Sequence, residues 1–286
     1  MKIYKKPACI ALAICLLLSL SACGESGSVK TLETIGTKKY GMAFRHGDRI
    51  AQTVSEAANA LNASGKLSEL SLRWLGIDVI SYEEPTFASA PEPEISPEPE
   101  TEASQETAEA SPEALPERVL IVGVPIGARP LAYSENGEEK GLFVDFAKEL
   151  GTALGWEIKI LAIESAQLET HLGSGNIDCA IGFGIEHLSA SRLTLGPVLI
   201  KSEIVLVTLQ DGGAKNIRAL EAQIIGTSGD MSVLTALGAT DKITKRTENF
   251  VAYPGAAQTV RALFDGEAAA IAIDRLLLEC SLLPSS

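Results

Sequence analysis

The side chains able to do acid–base, nucleophilic or metal chemistry are few and scattered along the chain. His46, His171 and His187 share no metal-ligand spacing with one another or with a cysteine. No metal site and no cofactor are therefore expected. Cys179 sits inside the apolar run Ile177 to Phe183 and reads as a buried structural thiol rather than a nucleophile. With Cys280 it makes only two thiols in the body of the chain, too few for a disulfide framework. No Cys/His or Ser/His pair and no twin carboxylates at a strand end suggest catalysis, so an enzyme is not expected. Two charges stand out by position instead: Arg192, closing Ser189-Ala190-Ser191-Arg192, and Asp274, which follows the apolar run Ala269 to Ile273. A guanidinium can fork onto a carboxylate and a carboxylate can take an ammonium, so together they could hold a zwitterion without reacting with it. The alternatives are a solvated loop arginine and an aspartate that caps the following helix, and the capping role is compatible with binding.

The elements that must position these residues begin after a targeting segment. Lys2, Lys5 and Lys6 precede an apolar run from Ala8 to Leu20, which is short for a membrane span and has the build of a secretory signal. Its ending, Leu20-Ser21-Ala22-Cys23, resembles the lipobox of bacterial lipoproteins. That resemblance implies cleavage before Cys23, a diacylglycerol thioether on Cys23, and a place on the extracytoplasmic face of the cell membrane through a lipid anchor. An ordinary signal peptide cleaved nearby is the other reading. Several acyl chains would hold the protein where a single chain binds only marginally.

Charge is concentrated in one stretch. The 286 residues carry a net charge of −13, yet residues 81–117 hold eleven Glu, no Lys, Arg or Asp, and seven of the thirteen prolines. Without that stretch the charge is close to balanced, and with 5% aromatics nothing points to a nucleic-acid partner. Its few apolar groups cannot offset the entropy of ordering, so it reads as an extended, self-repelling linker.

On either side the patterns are regular. Before the linker, a polar tether (23–34) leads to a block, 35–80, with a strand from Lys39 to Phe44. Asp48 is placed as the N-cap of a helix carrying Ile50, Val54, Ala57, Ala58 and Leu61, and a second helix carries Leu67, Leu70 and Trp74-Leu75 before Gly76. One strand and two helices cannot make a core alone, so the block must pack on something else. After the linker, strands (Val119 to Val124, Glu157 to Ala162, Asp178 to Phe183, Ile204 to Leu209, Gln223 to Thr227, Ala269 to Ile273) alternate with helices. This predicts an α/β fold of two lobes with mixed, mostly parallel sheets, 118–205 and 206–286, connected through Pro197 to Leu209.

Four segments carry a family resemblance. They are Val122-Gly123-Val124 with Pro130 and Tyr133; Gly141-Leu142-Phe143-Val144-Asp145-Phe146-Ala147; Leu172-Gly173-Ser174-Gly175-Asn176-Ile177-Asp178; and Ala257 to Gly266 with Ala269 to Asp274. In this order the chain resembles the family 3 (type II) periplasmic solute-binding proteins. The block Lys39-Tyr40-Gly41-Met42-Ala43-Phe44 through Gly47-Asp48 and Arg73-Trp74-Leu75-Gly76 resembles that family's C-terminal end, yet it lies at the N-terminal side. The resemblance therefore implies a circular permutant, with the linker joining the old termini and block 35–80 completing lobe 1. The alternative is a fusion of two fragments.

What the family implies for function follows from the matched positions. It points to a receptor that binds a small polar solute, an amino acid or a related molecule, between the lobes and hands it to the membrane subunits of an ABC importer. Arg192, with Ser189, would grip the carboxylate; Asp274 would take the ammonium; Leu131, Gly184 and Gly229 would line the site. Three departures bear on specificity. Leu131 stands where an aromatic is usual, Phe143 replaces the first acid of its motif, and Asp230 in Gly229-Asp230-Met231-Ser232 would repel an anion. Beside the receptor stand two other readings: a non-transporting sensor with an altered pocket, and a dehydratase-type enzyme on the same fold.

Overall fold

The computed structural model describes residues 28–85 and 118–282. The expected signal segment, the lipid site Cys23 and linker residues 86–117 lie outside the described residues. The chain opens on strand β1 (Val29–Arg45), helices α1 (Ile50–Ala63) and α2 (Lys66–Leu75), and β2 (Ile80–Glu83). Beyond the linker come β3 (Val119–Pro125), the small hairpin β4 (Tyr133–Glu135) and β5 (Glu138–Lys140), α3 (Leu142–Leu154), β6 (Glu157–Ile163), α4 (Leu168–Ser174), β7 (Cys179–Gly184) and β8 (Leu193–Leu209). The last stretch is β9 (Ile225–Thr227), α5 (Met231–Gly238), α6 (Asp241–Thr244), β10 (Phe250–Ala252), α7 (Gly255–Phe264), β11 (Ala270–Asp274) and α8 (Arg275–Leu282).

The strands form one mixed sheet in the order β10-β9-β11-β8-β1-β7-β3-β6, with β2 added beside β8. The outer strands of each lobe run parallel: β6 with β3 and β3 with β7 at one end, β10 with β9 and β9 with β11 at the other. Between them β1 and β8 are antiparallel to each other over their whole length, from Val29 opposite Leu209 to Arg45 opposite Leu193. Both strands belong to both lobes. The residues show why: in β8 the apolar runs Leu193 to Ile200 and Ile204 to Leu209 flank a polar Lys201-Ser202-Glu203. Leu193 and Val198 pack in lobe 1 and Ile204 and Leu206 in lobe 2, while Leu199, Ile200, Val205 and Val207 join a cluster that both lobes share; the polar triplet marks the crossing.

The block that could not fold alone packs on lobe 1. Ile50, Val54, Ala58, Leu67 and Leu70 join Leu120, Val122, Phe146, Ala147 and Leu150 in one buried cluster. Glycines with positive φ stop α2 at Gly76 and α3 at Gly155. The Trp74 indole donates to Asp145 Oδ2 at 2.9 Å, and Lys66 Nζ is 3.6 Å from Glu149.

Several sequence boundaries move. The supposed tether is already strand from Val29, because Val29 to Ile35 pairs with β8 and is covered on one side. The linker begins later than expected, since Ser81 to Glu83 lie in β2, paired with β8. The lobe connection through Pro197 to Leu209 is part of one continuous strand, β8. Helix α1 starts at Ile50 with Arg49 at the cap position, while Asp48 Oδ1 accepts the Ile50 N–H at 3.1 Å from one residue farther out.

Candidate functional site

The lobes meet where β1 and β8 cross. Lys38 lies opposite Ser202 there. On one side is the lobe 1 pairing of Tyr40 with Gly184, and on the other the lobe 2 pairing of Asp274 with Ile204. Lys38 is 3% exposed, and its Nζ lies 2.8 Å from Asp230 Oδ2 and 4.2 Å from the centre of the Tyr40 ring. An ammonium removed this far from water needs such partners, because isolated burial of a charge is costly.

The groups around it are held from three elements. Asp230 caps α5, Oδ1 accepting the Ser232 and Val233 N–H groups at 3.0 and 3.4 Å, which leaves Oδ2 for Lys38. Burial would raise its pKa, but the Lys38 charge and hydrogen bond and the two amides together hold it below the usual range. Asp274 closes β11 and caps α8, with Oδ1 accepting the Leu277 N–H at 3.0 Å. Its Oδ2 is buried and has no hydrogen-bond partner. Burial pushes the Asp274 pKa up, against the pull of the Lys38 charge. The Tyr40 hydroxyl is likewise buried without a partner, and its pKa is raised by burial with Asp274 and Asp230 adding to the effect.

Beyond β7 the chain brings two more polar groups against lobe 2. Glu186 Oε2 accepts the Lys39 N–H at 2.9 Å. His187 Nδ1 is 3.4 Å from Ser232 Oγ and 3.6 Å from Glu186 Oε1. Burial would raise the Glu186 pKa, yet hydrogen bonds from His187, Ser232 and the Lys39 amide bring it down to about 2. The lobes touch at two glycines. A Cβ on Gly184 would overlap the Ser232 hydroxyl, and one on Gly255 would stand 2.9 Å from the Gly127 carbonyl oxygen.

The residues expected from sequence are divided by this geometry. Asp274, Gly184 and Gly229, which precedes Asp230 with φ +72°, lie around the Lys38 crossing. Arg192 does not join them: its guanidinium is 73% exposed and pairs with Glu169 Oε2 at 3.3 Å. Ser189 is exposed, with its Oγ 2.8 Å from Ser191 Oγ. Leu131 is fully buried, and its carbonyl accepts the Phe143 N–H at 2.9 Å. Phe143, in place of a motif acid, packs its ring on Gly182 and lies 5.7 Å from the Tyr40 ring. Asp230, read as an obstacle to anions, is the partner of Lys38. Lys38, Tyr40, Glu186, His187 and Ser232 were not assigned to the site from the sequence. The β-branched residues of Val29 to Ile35 were the available signal, since they extend the strand and carry Lys38 into it. Among the described residues no group of three His, Cys, Asp or Glu side chains could hold a metal ion.

A search of the curated proteins finds no match. Among solved structures the chain is similar to the Tv2483 protein bound to L-arginine, at 23% identity and a TM-score of 0.47, over 57% of this chain and 68% of that one. It is similar to the ancestral amino acid-binding protein AncCDT-1, a precursor of cyclohexadienyl dehydratase, at 16% identity and 0.46, over 57% and 72%. Holo ArgBP from T. maritima gives 22% identity and 0.44, over 57% and 71%. A family model matches residues 120–252, from the first strand of lobe 1 to β10 of lobe 2, and is that of the bacterial extracellular solute-binding proteins, family 3. Over those residues, somewhat under half of the chain, the sequence is similar to that family.

Proposed function

We propose that the protein is a lipid-anchored extracellular receptor that binds a small polar solute between its lobes, an amino acid first of all, and delivers it to an ABC importer. The observation that carries this reading is the charged crossing of the two long strands. A buried ammonium, two carboxylates and a tyrosine face converge where two lobes touch through glycines. A solute with charges of both signs could exchange its own groups for these pairings when the lobes part. Ser232 Oγ lies 3.4 Å from His187 Nδ1, but it is buried against Gly184, so binding rather than catalysis is what the arrangement offers. The placement of block 29–80 on lobe 1 supports its reading as the permuted end of the family sequence.

Thermal denaturation against a panel of amino acids and polyamines tests the binding role. A ligand at 100 times its Kd should add about 2.7 kcal/mol of stability, and a panel without any such shift overturns the reading. For the anchor, Cys23→Ser should move the protein from the membrane to the soluble fraction. Retention in the membrane with an uncleaved signal would speak against lipidation. The crowded crossing also favours a second reading, a sensor with an altered pocket. Binding without dependence of uptake on the protein would select it.

A further inference from the structure

We propose that Lys38 is a built-in occupant of a cation site in the cleft, one shaped for a primary ammonium, which an amine-bearing solute must displace to bind. The proposal rests on the cleft being the binding site and names what fills it when no solute is present.

Three observations converge. The ammonium of Lys38 has the surroundings of a bound ligand: a carboxylate at 2.8 Å, an aromatic face at 4.2 Å, and almost no contact with solvent. It also stands within the field of a second carboxylate, Asp274, whose Oδ2 is buried and without a hydrogen-bond partner. The site thus offers more acceptor capacity than Lys38 uses, and the unpartnered Tyr40 hydroxyl adds to it. Finally, the lysine lies at the crossing itself, opposite Ser202, where the strands pass from one lobe to the other. A cation tethered there can hold the lobes together, as a solute would, through Asp230 of lobe 2. Two carboxyl groups, Asp230 and Asp274, thus face one ammonium. The incoming group it suits is therefore another ammonium rather than an anion.

Truncation and refilling test this. Lys38→Ala removes three methylene groups and the ammonium, which together are the outline of propylammonium. The variant should melt lower than the natural protein, and propylammonium chloride should raise its melting temperature by about 2–4 °C for each kcal/mol that occupancy supplies. The natural protein should not respond, nor should the variant respond to propanol or to sodium chloride at the same ionic strength. A variant that melts like the natural protein, or responds equally to sodium chloride, overturns the proposal. Should Lys38→Ala fail to fold, Lys38→Met keeps the packing and removes only the charge. Its melting temperature should recover toward the natural value as the pH falls and the carboxylates take up protons, and a deficit independent of pH would overturn the proposal. Because propylammonium is not the natural solute, refilling can succeed where the solute panel fails. A panel hit without refilling would sink the tethered cation alone.

Discussion

At the residue scale the structure turns on small groups that admit large neighbours. Gly182 has φ +83°, and the Phe143 ring lies where its Cβ would be. Gly182→Ala should therefore destabilise the protein by about 1–3 kcal/mol, from overpacking with the backbone penalty added. A shift of the urea midpoint at unchanged m-value is the measurement. The Lys38–Asp230 pair gives a second expectation. Asp230→Asn retains the cap on α5, since asparagine caps as well as aspartate. It leaves the buried ammonium without its ionised partner, a loss of about 3–5 kcal/mol. Retained stability in Asp230→Asn would mean that Lys38 swings out to water, which its exposure would then reveal.

At the scale of elements, β1 is the centre of the sheet and not an accessory of lobe 1. It separates β8 from β7, so deleting residues 30–80 removes the middle strand together with α1 and α2. The remaining 118–286 chain should lose cooperative melting and near-ultraviolet dichroism, and a sharp transition would contradict that. Trp74→Phe leaves Asp145 short of a donor and should cost about 1–2 kcal/mol. A chain cut within 86–117 should stay in one piece on gel filtration until that contact and the apolar cluster are weakened. Most of these elements were legible: α2 from its spacing and Gly76, α3 from its apolar stripe and Gly155, β3 and β7 from apolar runs, and β6 from the alternation that opens Glu157-Ile158-Lys159-Ile160. The two long strands were not. Lys201-Ser202-Glu203 interrupts the hydrophobic run of β8, and a reading by burial sees two pieces where the backbone makes one. The polar alternation of Val29 to Lys38 hid half of β1 in the same way. For the site, Asp274 was legible because a carboxylate after an apolar strand is placed by the sheet. Arg192 lies on a loop, whose direction no local pattern specifies.

For the whole molecule, acid stability is set by groups of opposite sign. Glu186, brought down to about 2, and Asp230, also lowered, contribute stability above their unfolded ionisation range. That contribution is lost as the pH falls through the ordinary glutamate value of 4.5 toward 2. Asp274 is raised, so its ionised form weakens the fold at neutral pH and is relieved as it takes up a proton. The melting temperature should hold or rise slightly on mild acidification, then fall steeply below the carboxylate range. Glu186→Gln should flatten the steep limb, and Asp274→Asn the mild rise. An unchanged profile in both would remove the cleft carboxylates from the account.

The paired β1 and β8 have a mechanical meaning as well. A protein held by its N-terminal side feels load first at Val29, along the axis of a strand bonded to β8 from end to end. Antiparallel hydrogen bonds lie across that axis, so the load shears many of them at once instead of peeling them one by one. Load applied from that side would thus meet the strongest direction of the sheet, and single-molecule pulling from residue 28 should give a higher rupture force than pulling across the edge strand β6.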